Sequence, residues 1–360
     1  MSVLDLPSPK QEEWRWADMA ALQSAADAAP HATGVDPKSL FLDMPGPRLL
    51  FVDGAFEPAH SVPGRVKVER IASSGDHPLG RLAEGEGWAL KLASEQAEET
   101  VQIAHLGTGG ESHVPARIAM DEDAVASVVE TYAGAGWANR LTHISLAKGA
   151  RLMRSVRLLQ AEGFVSLRDE AEIGEAASLV SIFLGMGGMG SRIDGALTLT
   201  GKGAFAEMGG ALLTRGEQKQ ECAVAVRHQN VDGTSRQLWR AVAAGQSTAS
   251  LAARVEVARD AQKTDGEQSL RGLLLKRTAT VNLKPELEIF ADDVKCAHGA
   301  TVGELDKRAL FYLESRGIPE ARATALLTHA FVADALGRIG DAAVREAFAA
   351  DAEAWLEAAL

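Results

Sequence analysis

GALTLTGKGA, Gly195 to Ala204, is the stretch on which the fold turns. It is a run about one strand long that ends in a small-residue corner. Runs of the same texture recur as THISLAKGA (Thr142 to Ala150), SLVSIFLG (Ser178 to Gly185), CAVAVRH (Cys222 to His228), RVEVARDA (Arg254 to Ala261) and TATVNL (Thr278 to Leu283). Several runs close on Gly-Ala or Gly-x-Ala: Lys148-Gly149-Ala150, Ile173-Gly174-Glu175-Ala176 and Gly201-Lys202-Gly203-Ala204. The spacing of these corners is irregular, in the mid-to-high twenties of residues. No long helical pattern separates the runs after Ala150, which argues against a doubly wound α/β fold. Two all-β architectures remain. A sandwich would show Asn-Gly or Asp-Gly hairpin turns, and only Asp53-Gly54, Asp194-Gly195, Asp232-Gly233 and Asp265-Gly266 occur. A β-solenoid would show stacked coils of strand and small-residue corner. The corners and the quasi-period favour the solenoid, and periodicity alone leaves both open.

The flanks read differently. The first ~25 residues carry a helical pattern (Trp14, Met19, Leu22) behind Pro7 and Pro9. From Ala29 to about His77 prolines and glycines predict loops and short strands such as RLLFVDG, Arg48 to Gly54. The C-terminus predicts three helices. Asp306 caps the first and Gly317 ends it; Pro319 opens the second and Gly337 closes it; Asp341 caps the third.

Composition excludes several classes. With 49 acidic and 37 basic residues the net charge is −12, which argues against a general binder of nucleic-acid phosphates. Two cysteines make no disulfide framework. No window approaches a membrane-spanning run, and MSVLDLPSPKQEEWRW has no signal-peptide pattern. A reducing cytoplasm with free thiols is the expectation.

One of the two cysteines lies in ADDVKCAHGATVG, Ala291 to Gly303. The preceding Val281, Leu283, Leu287 and Ile289 alternate with polar residues, the mark of a strand with one buried face. If that strand character continues, Cys296 and His298 share a face, about 7 Å apart along the backbone. Thiolate and imidazole together suit zinc or iron–sulfur ligation. A closed site needs four ligands, so this pair could be half a site, completed elsewhere. The competing reading makes Cys296 a small buried hydrophobe and His298 a satisfied core or capping residue. The other histidines are scattered (His31, His60, His77, His105, His113, His143, His228, His329) and read as structural or surface residues. LGMGGMGS, Leu184 to Ser191, lacks the Lys-Ser/Thr of a P-loop and reads as an outer loop between coils.

The segment KPELEIFADDVKCAHGATVGELDKRALFYLESRGI, Lys284 to Ile318, resembles the SufB/SufD family of the SUF iron–sulfur cluster assembly system, in its SufD form. The resemblance extends back through Ala253 to Leu283 and includes PKQEEWRW, Pro9 to Trp16, with weaker similarity at VVETYAG, Val128 to Gly134. SufB members carry Glu after the matching histidine, whereas Gly299 follows His298 here. Ala297 stands where Ser is common, Leu251-Ala252-Ala253 where Phe and Gly are common, and Cys222 matches no motif and reads as buried and structural.

The resemblance implies a mainly β fold: a right-handed parallel β-helix over residues 87–300, an N-terminal helical and irregular region over 1–86, and a helical region over 301–360. It implies a non-enzymatic scaffold subunit that pairs with SufB and binds the ATPase SufC through the C-terminal helices. Leu326, Phe331, Phe348 and Trp355 are the candidate docking residues. A nascent Fe–S cluster, shared transiently with SufB, is implied at Cys296 and His298. A reduced FAD is implied in the complex, with no cofactor bound by the isolated chain, and self-pairing through the same edge gives a homodimer in isolation. The alternatives are an enzyme on a β-solenoid, which would need a convergent acid/base groove, and a plain homodimeric structural protein.

Overall fold

The structure is a computed structural model and describes residues 6–73 and 75–359. Met1–Asp5, where the stretch read as lacking a leader begins, lie outside the described residues. Four short strands, β1 (Arg48–Val52), β2 (Ala55–Phe56), β3 (Lys67–Ile71) and β4 (Gly85–Leu92), precede two long ones, β5 (Val101–Met120) and β6 (Val125–Leu146). Strands of eight to ten residues follow: β7 (Arg151–Leu158), β8 (Phe164–Ile173), β9 (Ser178–Gly185), β10 (Gly190–Leu199), β11 (Phe205–Thr214), β12 (Lys219–His228), β13 (Thr234–Ala243), β14 (Thr248–Val257), β15 (Asp265–Leu274), β16 (Thr280–Ile289) and β17 (Lys295–Gly303).

These strands pair in parallel with the strand two further along, not with their sequence neighbour. One wall is β8–β10–β12–β14–β16 and the other is β7–β9–β11–β13–β15–β17. The chain is therefore a parallel β-solenoid of about 8 turns, each turn two strands and two corners. Coils lengthen along the chain. The register partners Asn139 and Ser166 are 27 residues apart, Arg192 and Glu221 are 29 apart, and Ser250 and Asn282 are 32 apart.

The Gly/Ala corners have a physical basis. At one corner of successive coils a residue turns left-handed: Asp123, Gly149, Ala176, Gly203, Asp232 and Lys263, with φ from 51° to 68°. Each gives its N–H to the next coil: Asp123 to the Lys148 carbonyl, Gly149 to Glu175, Ala176 to Lys202, Gly203 to Val231, Asp232 to Gln262 and Lys263 to Asp293. A corner that satisfies its backbone donor on the neighbouring coil is repeatable without limit. Glycine fits the conformation best, as at Gly203. A different constraint acts in the long strands. Gly134 is paired with Gly107, and a Cβ on Gly134 would lie 2.0 Å from the Gly107 carbonyl oxygen.

Inward side chains fill the lumen, with Leu167, Ile193, Leu197, Cys222, Val224, Leu251 and Trp239 among them. At ~25 cal/mol per Å² of apolar surface removed from water, this column is the main stabilising term. Its first end is closed. β1 and β4 run parallel to the two halves of β5, and β2 and β3 pair antiparallel on β1 and β4. The other end is open: among the described residues, β16 pairs only with β14 and β17 only with β15.

The flanks correct two expectations. The N-terminal helix is confined to α1 (Met19–Ala26), which starts where the Asp18 side chain caps the Ala21 N–H, and the residues between Pro9 and Asp18 form turns instead. Residues 12–14 form one 3-10 turn that buries Trp14 against the solenoid. At the other terminus α2 (Lys307–Ser315), α3 (Glu320–Leu336) and α4 (Ala342–Ala359) form with Asp306 and Asp341 as caps. The helices α3 and α4 pack on each other and on the outer face of the odd wall, in a cluster with Ile182, Leu184, Leu213, Val242 and Leu273. Phe348 (0% exposed) and Trp355 (3%) are inside that cluster. They are core residues of this chain and offer no free docking face. Phe331 is partly buried on the same cluster, and Leu326 is 39% exposed. The apolar residues that α2 leaves in solvent are Phe311 (71%) and Tyr312 (57%).

Candidate functional site

The free edge of the odd wall is β17, which begins at Lys295 because Thr264 in the coil below accepts the Lys295 N–H at 2.8 Å. Cys296 is in register with Gly266 and His298 with Gln268. Gly266, Gln268 and Leu270 are buried while Glu267 and Arg271 are exposed, so Cys296 and His298 continue the lumen-facing row. The shared face inferred from period two is therefore present. Its surroundings differ from a core. No coil covers β17, so Cys296 is half-buried and His298 exposed. The exposed Ile289, Phe290 and Val302 surround the same open end.

Burial pushes the Cys296 thiol up, Asp265 adds to this, and the Gly266 N–H opposes it. A thiol pushed this way is harder to convert to the thiolate, the form that ligates a metal. No group of three or more His, Cys, Asp or Glu side chains among the described residues is arranged to hold a metal ion. The pair can at most supply two ligands of four. Cys222 is buried in the lumen, and desolvation raises its thiol pKa far above the ordinary value.

Two charged clusters escaped sequence reasoning. Inside the lumen Arg154 is held by Glu130 (2.6 Å) and Asp169, and Tyr132 donates to Glu130 at 2.8 Å. Burial raises Asp169 to about 6, Arg154 opposes that rise, and Glu130 adds to it. On the outer face of the even wall Arg192 binds Asp194 (2.7 and 2.8 Å) and Glu221 (2.6 Å), and donates to the Glu13 carbonyl at 3.0 Å. His77 lies 3.2 Å from Asp194 and rests on Trp14. Burial would raise Asp194, but Arg192 and His77 outweigh it and hold Asp194 down to about 2. Glu221 has one cation and a like-charged neighbour, and burial raises it to about 7. The only signal in the sequence was a charge at an inward or wall position, which period two cannot tell from a solvated one. Two other histidines are structural: His105 stacks between Phe51 and Tyr132, and His228 pairs with Ser235 at 2.8 Å.

A family model described as SUF system FeS cluster assembly, SufBD core domain, matches residues 90–331. The chain belongs to the SufBD family. The match begins in β4 and ends in α3, so it includes both walls of the solenoid and the free edge. The chain is 26% identical to the iron–sulfur cluster assembly protein SufD of Escherichia coli (strain K12), over 95% of this chain and 87% of that protein. It is 31% identical to the chloroplastic protein ABCI7 of Arabidopsis thaliana, over 64% of this chain and 50% of that protein. An iron–sulfur cluster assembly SufBD family protein of Mycobacterium tuberculosis is 26% identical over 99% of this chain. As a SufBD protein the chain is an iron–sulfur cluster assembly protein of the SUF system. No helix among the described residues is long and apolar enough to cross a membrane.

Proposed function

We propose that this SufBD chain is a non-catalytic scaffold subunit that pairs through β17 with a SufB-type chain and carries the ATPase SufC on its C-terminal helices, in the cytoplasm. The single observation that supports this best is the open end. A solenoid closed at one end and left unpaired at the other presents backbone donors and acceptors to a second chain. Cys296 and His298 lie on that edge as an incomplete ligand set. The nascent cluster is the cargo: Cys296 and His298 supply two ligands and the partner chain the rest. Imidazole beside thiolate raises a cluster's potential relative to all-thiolate ligation. The ATPase contact is moved from Phe348 and Trp355 to Phe311, Tyr312 and Leu326, which the fold leaves in solvent.

The cavity under residues 12–16 does not fit a flavin. It measures about 620 Å³ and lies between residues 12–16 and the even wall. None of the buried polar atoms left without a partner among the described residues lines it. Its deep charges, Arg192, Asp194 and Glu221, are satisfied by one another. No step is derived through a flavin.

Co-expression with SufB and SufC is the test. A stable three-protein complex is expected, and His298→Ala should leave the complex intact while iron and sulfide incorporation falls. Full incorporation in that variant would remove His298 from the role, and failure to form the complex would favour a self-paired structural protein.

A further inference from the structure

At one inward position of the odd wall Gln237, Gln268 and His298 stack on β13, β15 and β17. The two glutamines are held alike. Gln237 donates its Nε2 to the Arg254 carbonyl at 2.9 Å, and Gln268 donates its Nε2 to the Glu286 carbonyl at 3.2 Å. Each donation reaches the even wall and fixes which end of the amide is nitrogen. Each therefore leaves a carbonyl oxygen, Oε1, buried with no partner among the described residues. Gln268 is 1% exposed. A buried carbonyl without a donor is costly, and native interiors nearly always satisfy it.

The register neighbour of Gln268 on the open side is His298, one strand spacing away (about 4.8 Å) and on the same face. Imidazole is a donor at one nitrogen and an acceptor or ligand at the other, and the hydrogen bond at one decides the role of the other. We propose that Gln268 is a positioning residue: a turn of the exposed His298 side chain, which does not reach Oε1 in this structure, lets Oε1 accept its Nδ1–H, which keeps the proton on Nδ1 and leaves Nε2 bare at the open end as the atom that meets iron. The use of Nε2 rests on the scaffold reading above, and the hydrogen bond does not. Gln237 has no such neighbour, since Gln268 covers it, so the device belongs to the last coil alone.

The experiment reads the tautomer of His298 in the full chain by long-range ¹H–¹⁵N NMR at a pH where the ring is neutral, with the signal assigned by its loss in His298→Gln. The Nδ1–H form should predominate in the unaltered chain. Gln268→Met, an apolar side chain of similar length, and Gln268→Asn, an amide too short to reach, should each lower the tautomer ratio roughly fivefold, the size of one net hydrogen bond. Gln268→Glu keeps an acceptor and should keep the Nδ1–H form. An unchanged ratio in Met and Asn, or a Glu variant that behaves like Met, overturns the proposal. Should the Met variant fold poorly on thermal melting, Asn against Glu decides alone. Cluster assembly in the His298→Ala complex is scored separately, so loss of the scaffold reading would leave the tautomer result standing.

Discussion

Arg192 lies with its guanidinium carbon 3.7 Å from the ring centre of Trp14, joining the N-terminal segment to the middle of the solenoid wall. The same guanidinium bridges Asp194 and Glu221, and His77 is the second partner of Asp194. Arg192→Leu should therefore cost about 3–5 kcal/mol, because it leaves the buried Glu221 without its cation and Asp194 with His77 alone. Urea unfolding followed by circular dichroism measures the loss. Limited proteolysis should also cut within residues 7–17, which remain protected in the unaltered chain.

Glu221 titrates in the native protein at about 7, above its ordinary 4.5. A carboxyl with a raised native pKa binds more protons folded than unfolded, so its contribution is full below pH 4.5 and is lost as pH rises to about 7. Glu221→Gln mimics the protonated form. The variant should match the unaltered chain near pH 5 and be the more stable of the two at pH 8. Urea midpoints at the two values check this, and a variant that loses stability at pH 8 would contradict it. Asp194, held at about 2, works the other way: its stabilisation is present above its usual 3.8 and disappears as the medium is acidified toward 2.

The two sets of apolar residues on the C-terminal helices separate by experiment. Phe348→Ala empties a fully buried position and should destabilise the chain by about 3–5 kcal/mol. Phe311→Ser alters a side chain in solvent and should change stability by no more than about 0.5 kcal/mol. In pull-downs with SufC the order reverses: Phe311→Ser weakens capture, whereas Phe348→Ala affects it only through loss of fold. Unchanged capture by a Phe311→Ser, Tyr312→Ser double variant would move the ATPase contact away from α2.

Two glycines test the coil geometry. Gly203 has φ 67° and open space where a Cβ would be, so Gly203→Ala should cost only the left-handed penalty, about 1 kcal/mol. Gly134→Ala would drive a methyl group into the Gly107 carbonyl and should cost about 3 kcal/mol or more. Thermal melts of the two variants should differ accordingly.

The corners at Gly149 and Gly203 and the helix caps were legible because their chemistry is local: a left-handed turn favours Gly, and an N-cap calls for Asp, whereas Asp123, Asp232 and Lys263 make the same turn with no glycine to mark it. The strand face bearing Cys296 and His298 was legible because period two is local as well. Other features depend on what stacks on what. Phe348 looked like a docking residue because its helix stripe says that it is buried, not against which surface. The burial of Arg154 and Asp169 leaves no mark in the sequence, because alternation fixes parity and not the identity of the inner face. The Trp14 segment is held by a contact spanning 179 residues, from Arg192 to the Glu13 carbonyl, which no local pattern can show. The resemblance at Lys284 to Ile318 supplied the assembly role, which neither composition nor spacing could.

The unpaired edge of β17 has a consequence for stoichiometry. A strand edge admits one new neighbour, so a second copy of this chain and a different family member would compete for the same row of donors and acceptors. Which species forms is then a matter of mass action. On the proposed scaffold reading, the relative supply of the two chains, and not only their affinities, would set how much of this protein is in the form that holds cargo.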